Sequence, residues 1–127
     1  MTRDEIFAKI KDVLTDALGV DDDEVTGSAR LQADLGAESI DYLDISFKLE
    51  QAFGIKIGQG ELFPDGSAQN AGFVKDGRIT PDGIDLLKKK LPHVDFAAWE
   101  KDPQISKVAN LFTVDALVNF VQRKLAA

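Results

Sequence analysis

The chain contains no cysteine, one histidine, one tyrosine and one tryptophan among its 127 residues. Without cysteine there is no disulfide framework and no thiolate nucleophile. The lone histidine, His93, stands between Pro92 and Val94 with no second histidine to join it. It reads as a loop residue, not as a general base or a metal ligand. No apolar run approaches the roughly 20 residues that a membrane-crossing helix needs. The first residues, Met1-Thr2-Arg3-Asp4-Glu5, turn acidic at once and lack the apolar stretch of a secretory signal. These absences point to a cytoplasmic protein with no stable membrane insertion. The length fits one domain over residues 1–127.

The charge is unevenly placed. Residues 1–57 hold six Lys/Arg and thirteen Asp/Glu, which accounts for the whole net charge of −7. Residues 58–127 carry nine of each. An acidic half argues against nucleic acid, which calls for a basic face. It serves solubility, or it steers basic protein partners.

Apolar spacing predicts a helix over 4–18 through Ile6, Ile10, Val13, Leu14, Ala17 and Leu18, with Thr2 as N-cap and Gly19 just past the end. An acidic loop follows, with Val25, Leu31 and Leu35 as anchors toward a core. A second helix is expected over 39–53, ended by Gly54, and it carries two apolar stripes. Tyr42, Ile45, Leu49 and Phe53 form the core stripe. Ile40, Leu43 and Phe47 form another, interleaved with Asp41, Asp44 and Glu50. A helix apolar on two sides needs two neighbours, and the second is either the rest of the fold or a partner protein.

Residues 58–80 read mainly as loop, with a small hairpin turn at Lys75-Asp76-Gly77 between Phe73-Val74 and Arg78-Ile79. Thr80-Pro81 is a strong helix start, with Ile84, Leu87 and Leu91 on the apolar side and Pro92 as the stop. Val94, Phe96 and Trp99 suggest another short helix, bounded by Pro103. Thr113 caps a last helix over 114–125, with Val114, Leu117, Val118, Val121 and Leu125 inward. Asp76-Gly77-Arg78-Ile79-Thr80 looks like the middle of a calcium loop, but its register puts Gly72, Val74 and Gly83 at ligand positions, so it is rejected. Lys88-Lys89-Lys90 reads as a solvated helix face.

Ser39 opens the second helix within Asp34-Leu35-Gly36-Ala37-Glu38-Ser39-Ile40-Asp41. Its hydroxyl lies at a helix N-terminus, where unpaired N–H groups and the helix dipole favour a phosphodiester. Gly36 permits positive φ in the turn before it. Hydrolytic catalysis lacks a general base, and the bland alternative is a plain N-cap.

Residues 34–41 resemble the phosphopantetheine attachment motif of acyl carrier proteins, Asp-Leu-Gly-Ala-Asp-Ser-Leu-Asp. Leu18-Gly19-Val20, Leu49-Glu50-Gln51-Ala52-Phe53-Gly54-Ile55 and Leu111-Phe112-Thr113-Val114-Asp115-Ala116-Leu117-Val118 are similar to the ends of that family's first and second helices and to its last helix. The resemblance implies an all-α bundle of three long helices and a shorter one, without catalytic activity of its own. It implies 4′-phosphopantetheine on Ser39, transferred from coenzyme A by a Mg²⁺-dependent phosphopantetheinyl transferase, with Asp34, Gly36 and Glu38 as the surrounding motif. The arm's thiol would carry an acyl group as a thioester for fatty acid, lipid or polyketide-type synthesis. Glu38, Asp41, Asp44 and Glu50 would meet basic patches on acyl-processing enzymes, and Ile40, Leu43 and Phe47 would supply apolar contact. The carrier would be monomeric. Ile10, Leu14, Leu35, Ile45, Leu49 and Ile57 double as core and as candidate liners for a carried chain.

Glu38 and Ile40 depart from the motif but keep its charge and bulk. Lys48 and Gln51 make the far end of the second helix less acidic. The large departure is 58–104, an insertion with its own predicted helices, expected to pack on the bundle through Phe63, Phe73, Leu87, Phe96 and Trp99. It suggests a specialised carrier. An unmodified interaction subunit with the carrier fold stays open. A peptidyl carrier fits less well, because Ala37-Glu38-Ser39 is unlike its usual Gly-His-Ser context.

Overall fold

The computed structural model describes residues 1–58, 60–63 and 71–126, with the backbone alone for Ser39 and Ala71. Part of the expected 58–80 loop, residues 64–70 and Gln59, lies outside them.

Helix α1 spans Arg3–Leu18. Thr2 Oγ accepts from the Glu5 N–H at 3.2 Å, and the Glu5 carboxylate accepts from the Thr2 N–H at 3.1 Å. This capping box satisfies amides that the first turn leaves unpaired. Gly19 ends the helix at φ +69°, a conformation that glycine adopts without a Cβ penalty. Ile6, Ile10, Val13 and Leu14 form the buried face. Helix α2 spans Ser39–Phe53 and ends at Gly54. Ile45 and Leu49 of its first stripe are fully buried, while Tyr42 and Phe53 pack against the core in part.

A β-hairpin pairs β1 (Val74–Lys75) with β2 (Arg78–Ile79). Its turn is the pair Asp76-Gly77, both at positive φ, so Lys75 belongs to the strand and not to the turn the sequence suggested. Two consecutive positive φ values match the right-handed twist of the strands. Helix α3 runs over Pro81–Lys90 with Thr80 Oγ accepting from the Gly83 N–H at 3.3 Å. The helix expected around Val94, Phe96 and Trp99 is reduced to a 3₁₀ turn at Trp99–Lys101. Pro92 and Pro103 bound that stretch on either side. A longer 3₁₀ segment, Ile105–Leu111, leads to the last helix.

Helix α4 spans Val114–Ala126, and Thr113 Oγ accepts from the Ala116 N–H at 3.2 Å. Val114, Leu117, Val118 and Val121 are buried as expected, with Ala116 and Phe120. Leu125 is 41% exposed, against the inward placement expected for it. It stands in the last turn of α4. Helix α1 packs on both α2 and α4.

The extra residues share this core. Leu87, Phe96 and Trp99 are buried in one set with the bundle residues. Phe63 and Phe73 are half-buried. The Trp99 indole donates to the Gln104 carbonyl at 3.0 Å, and Ile79 N–H donates to the Pro103 carbonyl at 2.9 Å. His93 is a loop residue, as expected, but only 3% exposed. Its Nε2 donates to the Leu62 carbonyl at 2.9 Å, and its own carbonyl accepts from Asn119 of α4 at 3.1 Å. Its ring meets Phe120 edge-on at 5.0 Å. Lys124 of α4 pairs with Glu61 at 2.6 Å.

Candidate functional site

The turn before α2 is held from both sides. Asp34 accepts the Arg30 N–H at 2.7 Å and the Arg30 guanidinium at 3.2 and 3.3 Å. Those bonds hold the Asp34 carboxyl below its usual range. Ala37 N–H donates to the Leu31 carbonyl at 2.9 Å. Leu31 N–H reaches the Phe112 carbonyl at 2.9 Å, and Val114 N–H reaches the Ala29 carbonyl at 3.0 Å. Leu31, Leu35 and Ala37 are buried beneath the turn. The approach to Ser39 is therefore stitched to the start of α4.

Gly36 turns the chain at φ +73°, and a Cβ there would meet nothing within 4 Å. Glu38 follows in extended conformation, exposed, as the residue that caps α2. Its N–H donates to the Asp41 carboxylate at 2.8 Å, and Asp41 N–H donates back to the Glu38 carbonyl at 2.9 Å. Ser39 is the first helical residue, at an end where the leading N–H groups have no intrahelical acceptor. Open space beside Gly36 and a positive helix end fit a phosphodiester there. Asp34 and Asp41 already serve the turn and the cap.

The second stripe of α2 has no cover within the described residues. Ile40 is 76% exposed, Leu43 77% and Phe47 57%. The acidic residues among them are placed differently. Lys48 Nζ lies 3.0 Å from Asp16 and 3.7 Å from Asp44, tying α2 to α1. Glu50 accepts the Ile57 N–H at 2.9 Å and so holds the chain beyond the helix end. Of the candidate liners, Ile10, Leu14, Leu35, Ile45 and Leu49 are buried core, and Ile57 is partly buried.

One feature beside Ser39 went unread in the sequence. Tyr42, expected simply as core, stacks on Phe63 with ring centroids 4.5 Å apart, and Phe63 meets Phe112 at 5.5 Å. The Tyr42 hydroxyl is buried without a hydrogen-bond partner among the described residues. A hydroxyl-bearing residue in an otherwise apolar core stripe is the available signal. Among the described residues, no group of three His, Cys, Asp or Glu is placed to hold a metal, and no helix is long and apolar enough to cross a membrane.

Residues 8–69 match a family model described as the phosphopantetheine attachment site. The chain is 43% identical over 61 residues to an acyl carrier protein of Thermotoga maritima, covering 48% of this chain and 75% of the relative. It is 41% identical over 91 residues to an acyl carrier protein of Petrotoga mobilis, covering 72% and 93%. An acyl carrier protein of Rubrobacter xylanophilus is 44% identical over 61 residues, covering 48% and 75%.

Proposed function

This chain belongs to the acyl carrier protein family and bears phosphopantetheine, and from that premise we propose that Ser39 is the residue carrying the arm. The observation behind the proposal is the position of Ser39 as first residue of α2, after a turn pinned by Asp34 and opened by Gly36. In the loading step the Ser39 oxygen bonds to the pantetheine-side phosphorus of coenzyme A. The phosphoanhydride bond breaks, the nucleotide leaves with the bridging oxygen, and the hydroxyl proton passes to the transferase. When attached, the arm supplies a thiol that holds an acyl group as a thioester.

The chain's own residues position and present this arm and perform no catalysis. Ile40, Leu43 and Phe47 offer an apolar surface to transferase and acyl-processing enzymes, with Glu38, Asp41 and Asp44 beside it for basic patches. The uncovered state of that stripe supports this role. Gly36 keeps the turn open, Asp34 keeps it rigid, and Glu50 steadies the far end of the helix. The reading takes residues 1–127 as a single carrier domain with 58–104 inserted in it, working in the cytoplasm as a monomer in fatty acid, lipid or polyketide-type synthesis. The shared core of insertion and bundle supports the single domain.

Incubation with a promiscuous phosphopantetheinyl transferase and coenzyme A, followed by intact-mass spectrometry, tests the proposal. Wild type is expected to gain the mass of one arm, and Ser39→Ala none. An unchanged wild-type mass would leave an unmodified subunit with the carrier fold.

A further inference from the structure

Tyr42 is the single tyrosine of the chain. It lies three residues after Ser39, about 4.5 Å further along α2 and on the same side. Phe63, from the segment that follows the second helix, stacks on its ring with planes 25° apart. Phe112, from the approach to α4, backs Phe63. The first turn of α2 thus has an aromatic wall beside it, part of which the extra segment supplies.

The wall contains one polar atom, and among the described residues that atom has no hydrogen-bond partner. A buried hydroxyl without a partner is destabilising, and buried polar groups are nearly always paired. Phenylalanine would give the same stack without the cost. Burial, with the Asp41 charge adding to it, pushes the phenol pKa above its usual value, so the group is a neutral donor. A donor held in an apolar wall is matched by an acceptor oxygen that arrives with an otherwise apolar chain. Such oxygens occur in the amides of a pantetheine arm and in the carbonyl of a thioester-bound acyl group.

We propose that the Tyr42 hydroxyl donates a hydrogen bond to a carbonyl oxygen of the carried chain, laid along the first turn of α2 against Phe63. Tyr42 is then a positioning residue, paired in the loaded carrier and unpaired in the bare one. This rests on Ser39 as the attachment residue.

The test uses the full chain with ¹³C at the tyrosine Cζ, a single signal because there is one tyrosine. Spectra are compared for the bare, arm-bearing and acylated forms, each checked by intact mass. A shift of the Cζ signal on arm attachment assigns the acceptor to an arm amide. A shift that comes only on acylation assigns it to the acyl carbonyl. In parallel, Tyr42→Phe keeps the stack, and the bare variant is expected to be at least as stable as wild type. Loading is expected to raise the Tm of wild type by about 4 °C more than that of Tyr42→Phe, the size of one hydrogen bond. A mass gain with an unmoved Cζ signal and equal Tm shifts overturns the proposal and leaves Ser39 in place. A bare Tyr42→Phe protein less stable than wild type overturns it too, since the hydroxyl would already have a partner. No mass gain removes the Ser39 reading and this one with it.

Discussion

His93 shows how much one buried side chain can decide. Its Nε2–H holds the Leu62 carbonyl, which fixes the tautomer. Burial lowers its basicity below the ordinary value of 6.5, and the Leu62 bond offsets only part of that. The unfolded chain therefore takes up the proton first. The His93 contribution to stability is fully present above about pH 6.5 and is lost as pH falls below it. The urea midpoint of wild type is expected to drop between about pH 7.5 and about pH 5.5. His93→Gln, which keeps a donor but does not titrate, is expected to flatten that drop. Equal slopes in the two proteins would refute this. Asp34 and Asp102, held down by Arg30 and Arg78, act in a separate window at lower pH, where stability falls as they protonate.

Two glycines separate space from chemistry at the same scale. A Cβ at Gly27 would sit 2.6 Å from an Asp115 carboxylate oxygen, but that side chain is exposed and swings aside. A Cβ at Gly83 would meet the Phe73 Cβ at 2.9 Å and its carbonyl at 3.2 Å, neither of which can move alone. Gly83→Ala is expected to cost about 1–2 kcal/mol, because overpacking outweighs the gain in helix propensity of up to about 1 kcal/mol. Gly27→Ala is expected to stay within about 0.5 kcal/mol of wild type. Denaturant titration of both variants checks the contrast.

At the scale of elements, α3 is a ten-residue helix, too short to persist alone. It is held by its cap, by Leu87 in the core and by the hairpin against which Gly83 packs. Thr80→Ala is expected to destabilise it by about 1 kcal/mol, read as faster amide exchange over 81–90 than over α1. The ends of α1, α2 and α3 were legible in the sequence because caps act locally: Thr2, Gly19, Gly54 and Thr80 do their work within one turn. The stretch around Trp99 was not legible. Apolar spacing there is the same for a helix and for a 3₁₀ turn packed on Phe96, and the choice follows from what those rings bury against.

At the scale of the whole molecule, acidic charge and the uncovered stripe Ile40, Leu43 and Phe47 lie on the same helix. Between about 0.1 M and about 1 M salt the screening length falls from about 10 Å to about 3 Å. The rate of arm transfer onto the chain is expected to fall over that range. Asp44→Asn is expected to lower the rate at low salt and weaken its salt dependence. Asp41 is a poorer choice for this test, since its carboxylate also caps the Glu38 amide. Stopped-flow measurement with the transferase decides the matter, and a salt-independent rate would remove the electrostatic account.

The sequence by itself determined the helix over 39–53, the turn of Asp34 and Gly36, Ser39 at the helix start, the acidic half and the family motif. Each follows from residues close together in the chain, where propensity, capping and charge act. The tertiary structure decided which stripe of α2 stays bare, that Glu50 holds Ile57, that His93 joins Leu62 to α4, and that Tyr42 faces Phe63 with an unpaired hydroxyl. Those outcomes depend on which distant segments meet. Burial and pairing are properties of both partners, and periodicity along one segment records only its own side.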